Sequence, residues 1–417
     1  MFFLVRAERR VLRFAVGVCL SGAAAVAVAA GPGYTLDALL ERALRESPAL
    51  ATSRAQLVGA QAGLITARAL PNPELGLDPG SLSPRRVGDP SGSSVALSVT
   101  QPIENPRLRA ARLDGARARV EVARAETSVL QSQLSAAIRD RFFELVRLRA
   151  ELQAQQEDLL LTEQIRDRID VRVRAGEAPR FDALRAEGEV AGVRRLLEAT
   201  RLRLREAQFG MRQLVSPLLE AEFEVVVRET DTRLLAEADY LTLRQAIFER
   251  NPEVLLARDR QVAAQRQVEL ERNRIVPQVS LRATHERDPA VTLNRIGAQL
   301  TVPLLDRREG PIAEAQAEAE RSRLALEQRR FEVEAAFDAS WQAYRSALSQ
   351  VQAIEGGTLD RARQVLGIAE AAYRLGERGI LEFLDAQRQF RLVRNDLITA
   401  RFLLQRARTD LERLAGR

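Results

Sequence analysis

The sequence predicts a mainly α-helical chain with a small β part, built as two copies of one elongated unit. Three observations lead there. Only 5% of the 417 residues are aromatic and 29% are charged, a balance typical of long helices and coiled coils. Residues 107–174 and 312–375 contain no proline, leaving room for two very long helices. RAGEAPRFDALRAE at 174–187 interrupts the first of these segments, and RLGERGILEFLDAQ at 374–387 interrupts the second in the same place.

The N-terminal residues 1–30 read as a secretory signal peptide. Arg6, Arg9, Arg10 and Arg13 precede an apolar run from Phe14 to Ala30, and the small residues Ala29 and Ala30 stand before Gly31-Pro32. Cleavage near Ala29 or Ala30 is favoured over lipidation of Cys19, because Val18 is not the small residue a lipidated cysteine follows. The mature chain then has no thiol chemistry. No later segment offers the roughly 20 apolar residues of a membrane helix, so any membrane crossing must use strands. The net charge of +6 comes half from the leader, and no basic run remains to track phosphates, which argues against nucleic acid.

Internal repetition fixes the domain plan. Ser47-Pro48 recurs as Asn251-Pro252, and Pro73 to Leu77 recurs as Pro277 to Leu281 at the same spacing. Val99 to Ile103 recurs as Leu300 to Leu304, and Ile138, Phe142 and Leu145 recur as Phe337, Trp341 and Tyr344. The plan is a leader at 1–30, a first repeat at 31–216, a connecting segment at 217–239 and a second repeat at 240–417.

Each repeat reads helix, strand, strand, long helix, break, helix. Ser47 and Asn251 are capping residues followed by a helix-compatible proline. Pro71 and Pro277 end those helices. Val95, Leu97 and Val99 alternate with small polar residues, as do Ile296, Ala298 and Leu300, which is the period of a half-buried strand. The preceding arms, around Leu75 to Leu77 and Val279 to Ala283, are shorter and weaker. Four strands cannot close a membrane barrel, so a spanning sheet needs at least two copies of the chain, or three. The aromatic girdles of such barrels are thin here. The long segments follow, about 107–174 and 312–375, with Gly356-Gly357 and Gly367 as soft points in the second. Their aromatic stripe, Trp341 and Tyr344 included, is expected to be core packing. The returning helix near 181–214 is half as long as its partner, and stacking end to end with the helix at 48–69 makes up the difference. His285, the single histidine, is expected in a loop near a hairpin turn and is too little for a metal site. No clustered Ser/His/Asp set is present, so neither catalysis nor a cofactor is expected.

The duplication, the Thr35-Leu36 to Ser47-Pro48 and Thr242-Leu243 to Asn251-Pro252 openings, the Thr-x-Pro strand exits and the paired breaks together resemble the TolC family of outer-membrane channel proteins. LPNPEL at 70–75 and LSVTQPIENPRLRAAR at 97–112 look most like the subgroup working with heavy-metal exporters of the CzcC and CusC type, although Asn105-Pro106-Arg107-Leu108 replaces that subgroup's Gly-Gly-Lys-Arg. The resemblance implies a homotrimer with a twelve-stranded barrel in outer-membrane lipid and a helical tunnel through the periplasm. Its partners would be a periplasmic adaptor and an inner-membrane pump, of the RND type or another. It also implies that Gly176, Glu177, Gly376 and Glu377 form tip turns where the adaptor docks. Asp182, Tyr373 and Arg378 would form a closed-state lock, and Glu382 and Asp385 a periplasmic constriction. A drug-efflux or protein-secretion duct is the alternative cargo reading, and a soluble periplasmic coiled-coil scaffold is the alternative of a different class.

Overall fold

The computed structural model describes residues 33–83, 86–228, 234–236 and 239–416. The expected leader, Cys19 and part of the connecting segment lie outside them.

Strand β1 (Gly33–Thr35) leads into α1 (Leu36–Glu46), where the Thr35 hydroxyl accepts from the Ala38 N–H at 3.4 Å and caps the first turn. A tight corner at Ser47 starts α2 (Pro48–Arg68). Next come β2 (Glu74–Leu82), β3 (Gly92–Ile103), the 69-residue α3 (Pro106–Arg174) and α4 (Arg180–Val215). The short β4 (Glu224–Val226) pairs in parallel with β1. The order then repeats as α5 (Asp239–Arg250), α6 (Pro252–Asn273), β5 (Gln278–Arg287), β6 (Thr292–Thr301) and α7 (Glu309–Ala353). A π-helical turn at Ile354–Thr358 connects to α8 (Leu359–Arg374), and α9 (Ile380–Leu414) returns. Helices α1 and α5 were not anticipated, although Leu36, Leu39, Leu40 and Ala43 follow the i, i+3, i+4, i+7 spacing of one helix face; Leu39 and Ile247 are fully buried.

The two proline corners are capped differently. Asn251 Oδ1 accepts from the N–H groups of Glu253 at 2.9 Å and Val254 at 3.1 Å, while its Nδ2 donates to the Leu414 carbonyl at 2.9 Å. Ser47 makes no side-chain cap bond, so α2 relies on Pro48, whose missing N–H removes one orphan donor.

Helices α2, α4, α6 and α9 all lie against α3, and α7 packs on α6 and α9. At 1.5 Å per residue α3 is about 100 Å long, and α2 plus α4 together cover about 85 Å of it. One core joins α1, α3 and α4 around Ile138, Phe142, Leu145 and Met211. Its counterpart joins α5, α6, α7 and α9 around Phe337, Trp341, Tyr344 and Leu411. Trp341 and Tyr344 are packing residues as expected, but Tyr344 also holds the connecting segment: its hydroxyl accepts from the Leu235 N–H at 2.7 Å and lies 3.2 Å from that residue's carbonyl.

The four long strands form one antiparallel sheet in the order β2-β3-β5-β6. Register sorts its two faces. Leu75, Leu77, Val99, Leu97, Ile103, Val279, Leu281, Ala283, Ile296 and Leu300 share one face. Gly76, Ser98, Thr100, Arg282, Thr284, Glu286 and Arg295 share the other, where Arg282 Nε donates to Thr100 Oγ1 at 3.0 Å. Three expectations need correcting. Arm β2 is a full strand that continues through Pro79, which an edge strand tolerates. His285 is a strand residue, not a loop residue: it faces Asn294 in β6, with Nδ1 2.7 Å from its Oδ1. Gly367 is no soft point, since α8 runs through it, whereas Gly357 is, with φ of 133° inside the π-helical turn.

Candidate functional site

Both interruptions fold into the same turn. Gly176 and Gly376 each have φ of 76°, and the N–H of the following glutamate reaches back to the carbonyl five residues earlier: Glu177 to Arg172 at 2.8 Å and Glu377 to Ala372 at 3.0 Å. The glycine N–H groups bond to Val173 and Tyr373 at 3.1 and 3.2 Å. This double closure satisfies the last carbonyls of α3 and α8 and requires a left-handed residue at its centre. A Cβ there would meet nothing within 4 Å, so glycine is demanded by conformation and not by crowding. Extended backbone at Pro179 and Gly379 then starts the returning helices.

Above the turns, Ile165 and Ile169 of α3, Ala186 of α4, Tyr373 of α8 and Ile380, Phe383 and Leu384 of α9 form a third apolar core, shared by both repeats. The Tyr373 ring stacks on Phe383, centroids 5.9 Å apart, and carries the Arg172 guanidinium 5.6 Å over its centre. Tyr373 thus ties α8 to α3. Asp182 lies in the first turn of α4, half-buried, where a carboxylate complements the helix dipole. Among the described residues no hydrogen bond joins Asp182 to Tyr373 within one chain. Arg378 and Glu382 are brought together, with Nη1 3.7 Å from Oε1, but both are exposed. Glu382 and Asp385 stand on the solvent side of α9, and Phe383, Leu384 and Gln387 occupy its buried side.

Sequence reading missed a polar seam higher on α9. Arg391 pairs with Glu189 of α4, and Arg388 Nη2 lies 3.4 Å from the same carboxylate. Arg394 pairs with the buried Asp158 of α3 and donates to the Ala154 carbonyl at 3.2 Å. Gln387 Nε2 donates to Thr162 Oγ1 at 3.3 Å. Burial works against ionisation of Glu189, yet the hydrogen bond and charge of Arg391 hold its carboxyl below the ordinary value. For Asp158 burial wins over Arg394 and the carboxyl is pushed up. The only sequence signal was the three-residue spacing of the arginines. Among the described residues no helix is long and apolar enough to cross a membrane, and no three His, Cys, Asp or Glu side chains gather as metal ligands would.

Residues 39–216 and 243–417 match the family described as outer membrane efflux protein. The chain belongs to that family. This efflux protein is 24% identical over 413 residues to the cobalt-zinc-cadmium resistance protein CzcC of Cupriavidus metallidurans, covering 97% of this chain and 96% of CzcC. It is 22% identical to the pyoverdine export outer membrane protein OpmQ of Pseudomonas aeruginosa, covering 91% and 85% of the two chains. Its fold superposes on that of CusC with a TM-score of 0.77 at 16% identity, over 91% of this chain and 92% of the other. The efflux protein is accordingly an outer membrane channel of TolC-like fold with a large periplasmic part.

Proposed function

We propose that three copies of this chain close into a passive duct that receives cargo from an inner-membrane pump through a periplasmic adaptor and releases it across the outer membrane. One observation carries the assembly. The sheet has a mainly apolar face, interrupted by Gln101 and the His285–Asn294 pair, and two open edges, β2 and β6, and unpaired edge groups are prohibitive in lipid. Joining β6 of one copy to β2 of the next satisfies both edges, and three sheets give a twelve-stranded barrel. The apolar face also disfavours the soluble scaffold: Leu75 is 76% exposed and Ile296 is 90% exposed in the single chain.

Similarity to the cobalt-zinc-cadmium resistance protein CzcC across nearly the whole chain supports heavy-metal cations as cargo, and similarity to the pyoverdine export protein OpmQ supports a pyoverdine-like organic cargo as the second reading. In a passive duct the pump sets most of the choice. The constriction is assigned to Glu382 and Asp385, the closed-state lock to Asp182, Tyr373 and Arg378, and the adaptor-docking turns to Gly176, Glu177, Gly376 and Glu377. The test is extraction of the full-length protein from outer membranes, sizing in detergent and reconstitution into planar bilayers. A trimer that conducts ions is expected. A monomer that salt releases from membranes would overturn the proposal.

A further inference from the structure

The two repeats meet along α3 and α9, and their cores do not fuse there. Phe143 belongs to the first core, whereas Val351 and Leu404 belong to the second. Between them α3, α7 and α9 leave a cleft of about 580 Å³, bordered by Val227 and Leu234 of the connecting segment. Interiors are close-packed, so an unfilled volume of this size stands out, and it falls within the range of small-molecule sites. Residues 229–233, Glu-Thr-Asp-Thr-Arg, carry no large apolar side chain to fill it. The lining is mainly apolar, and the charges beside it are already engaged. Arg401 donates from Nε and Nη2 to Glu355 Oε1 at 3.0 and 2.6 Å, and Arg147 pairs with Glu151. One polar atom is not engaged. Gln405 is only 9% exposed, and its Oε1 is buried with no partner among the described residues. A second cleft, of about 300 Å³, shares Gln405 and Phe143 with the first and is lined by Arg139, Arg408, Thr409 and Glu412. Helix α9 therefore presents an apolar hollow on the tip side of Gln405 and a polar one on the other.

We propose that the larger cleft binds a neutral amphiphile, with an apolar, ring-bearing body between α3, α7 and α9 and one N–H or O–H donor on Gln405 Oε1. Each feature follows from the lining. The body is apolar because a polar group set against Val146, Leu348 and Ile398 would be buried without a partner. It is neutral because Arg147 and Arg401 already hold carboxylates, so a further charge would be buried unpaired. Phe143 and Phe402 favour rings, which pack against them offset or edge-on. The donor is called for because a buried acceptor left bare is destabilising, and a ligand N–H or O–H removes that penalty. The polar end of a longer ligand extends past Gln405 toward Arg139 and Thr409. The site belongs to the single chain and does not rest on the duct reading.

The single tryptophan makes the test local. Trp341 precedes Val351 on α7 by ten residues, about 15 Å, whereas a probe dissolved around the strands lies about 48 Å away along the same helix. N-Phenyl-1-naphthylamine, a neutral aromatic amine with one N–H, absorbs where tryptophan emits. Titrating it into the full-length protein, held in an amphipol belt, is expected to quench Trp341 saturably. Gln405→Leu should weaken that binding about fivefold, the scale of one neutral hydrogen bond. The same change should not weaken binding of the N-methyl analogue, which has no donor. A merely apolar cleft predicts otherwise, since leucine makes it more apolar; unchanged or tighter binding of the amine in Gln405→Leu would overturn the proposal. Ile398→Phe fills the hollow and should abolish quenching by both probes, a wild-type melting temperature certifying its fold. Wild-type binding of both probes by Ile398→Phe, or no saturable quenching of the unmodified protein, refutes the site. Gln405→Leu decides alone if Ile398→Phe does not fold. None of these readings involves conduction, so the cleft and the duct stand or fall separately.

Discussion

Asp140 shows how much a single residue can depend on partners far away in sequence. Its carboxyl is pushed up to about 6 from an ordinary 3.8, first by burial and then by Asp410 on α9, with Arg406 and Arg413 opposing. A raised carboxyl penalises the charged form, so the folded protein loses stability as pH climbs from about 4 to about 6 and carries the full penalty above that. Asp140→Asn should therefore stabilise the protein at pH 7.5 by about 1 kcal/mol, after discounting for partial solvent screening. Thermal melts in detergent check this, and the gain should vanish near pH 4. At the tip, replacing both Glu382 and Asp385 by Ala is expected to weaken cation preference in reversal-potential measurements, since three chains would lose six carboxylates from the proposed ring. Unchanged selectivity would reject the constriction assignment. Asp182→Phe or Tyr373→Phe should raise conductance by loosening the proposed lock, and wild-type currents from both would count against it.

Among the elements, the contrast between α3 and the interrupted α7–α8 is decisive. Gly357 occupies a backbone region that residues with a Cβ rarely adopt, while Gly367 sits in regular helix with open space around it. Gly357→Ala should cost about 1–2 kcal/mol, and Gly367→Ala should add up to about 1 kcal/mol. Opposite shifts in melting temperature are the expected outcome. The helices and tip turns were readable in the sequence because proline, glycine and apolar spacing act locally. Helix α3 was legible almost to the residue, since nothing between Pro106 and Gly176 could stop it. Strand β2 was underestimated because Asp78-Pro79-Gly80 reads as a turn until its place at a sheet edge is known. The pairing of Arg394 with Asp158 spans 236 positions and leaves no local trace, so only its arginine spacing was visible.

For the whole molecule, the sheet's two faces make unequal demands. Ile296 lies on the apolar face near mid-strand, and an arginine there would be placed in the bilayer at a cost of about 2–4 kcal/mol. Ile296→Arg is expected to abolish a detergent-resistant trimer on gels. Gln299→Arg, on the face that already carries Arg282 and Arg295, should leave it intact. Equal behaviour of the two would contradict the barrel.

Only Glu104 and Asn105 separate the end of β3 from the start of α3, and Arg112 Nη1 clasps Glu104 Oε1 at 2.7 Å. A force applied at Gly176 therefore travels to the sheet along one stiff column with no compliant section. The same force at Gly376 divides between the unbroken α9 and α8, and on the α8 side it meets the π-helical turn at 354–358, where the helix can bend. The two legs of the chain respond to a pull as a strut and a spring, so a docking partner that grips both tips alike would still deform them unequally.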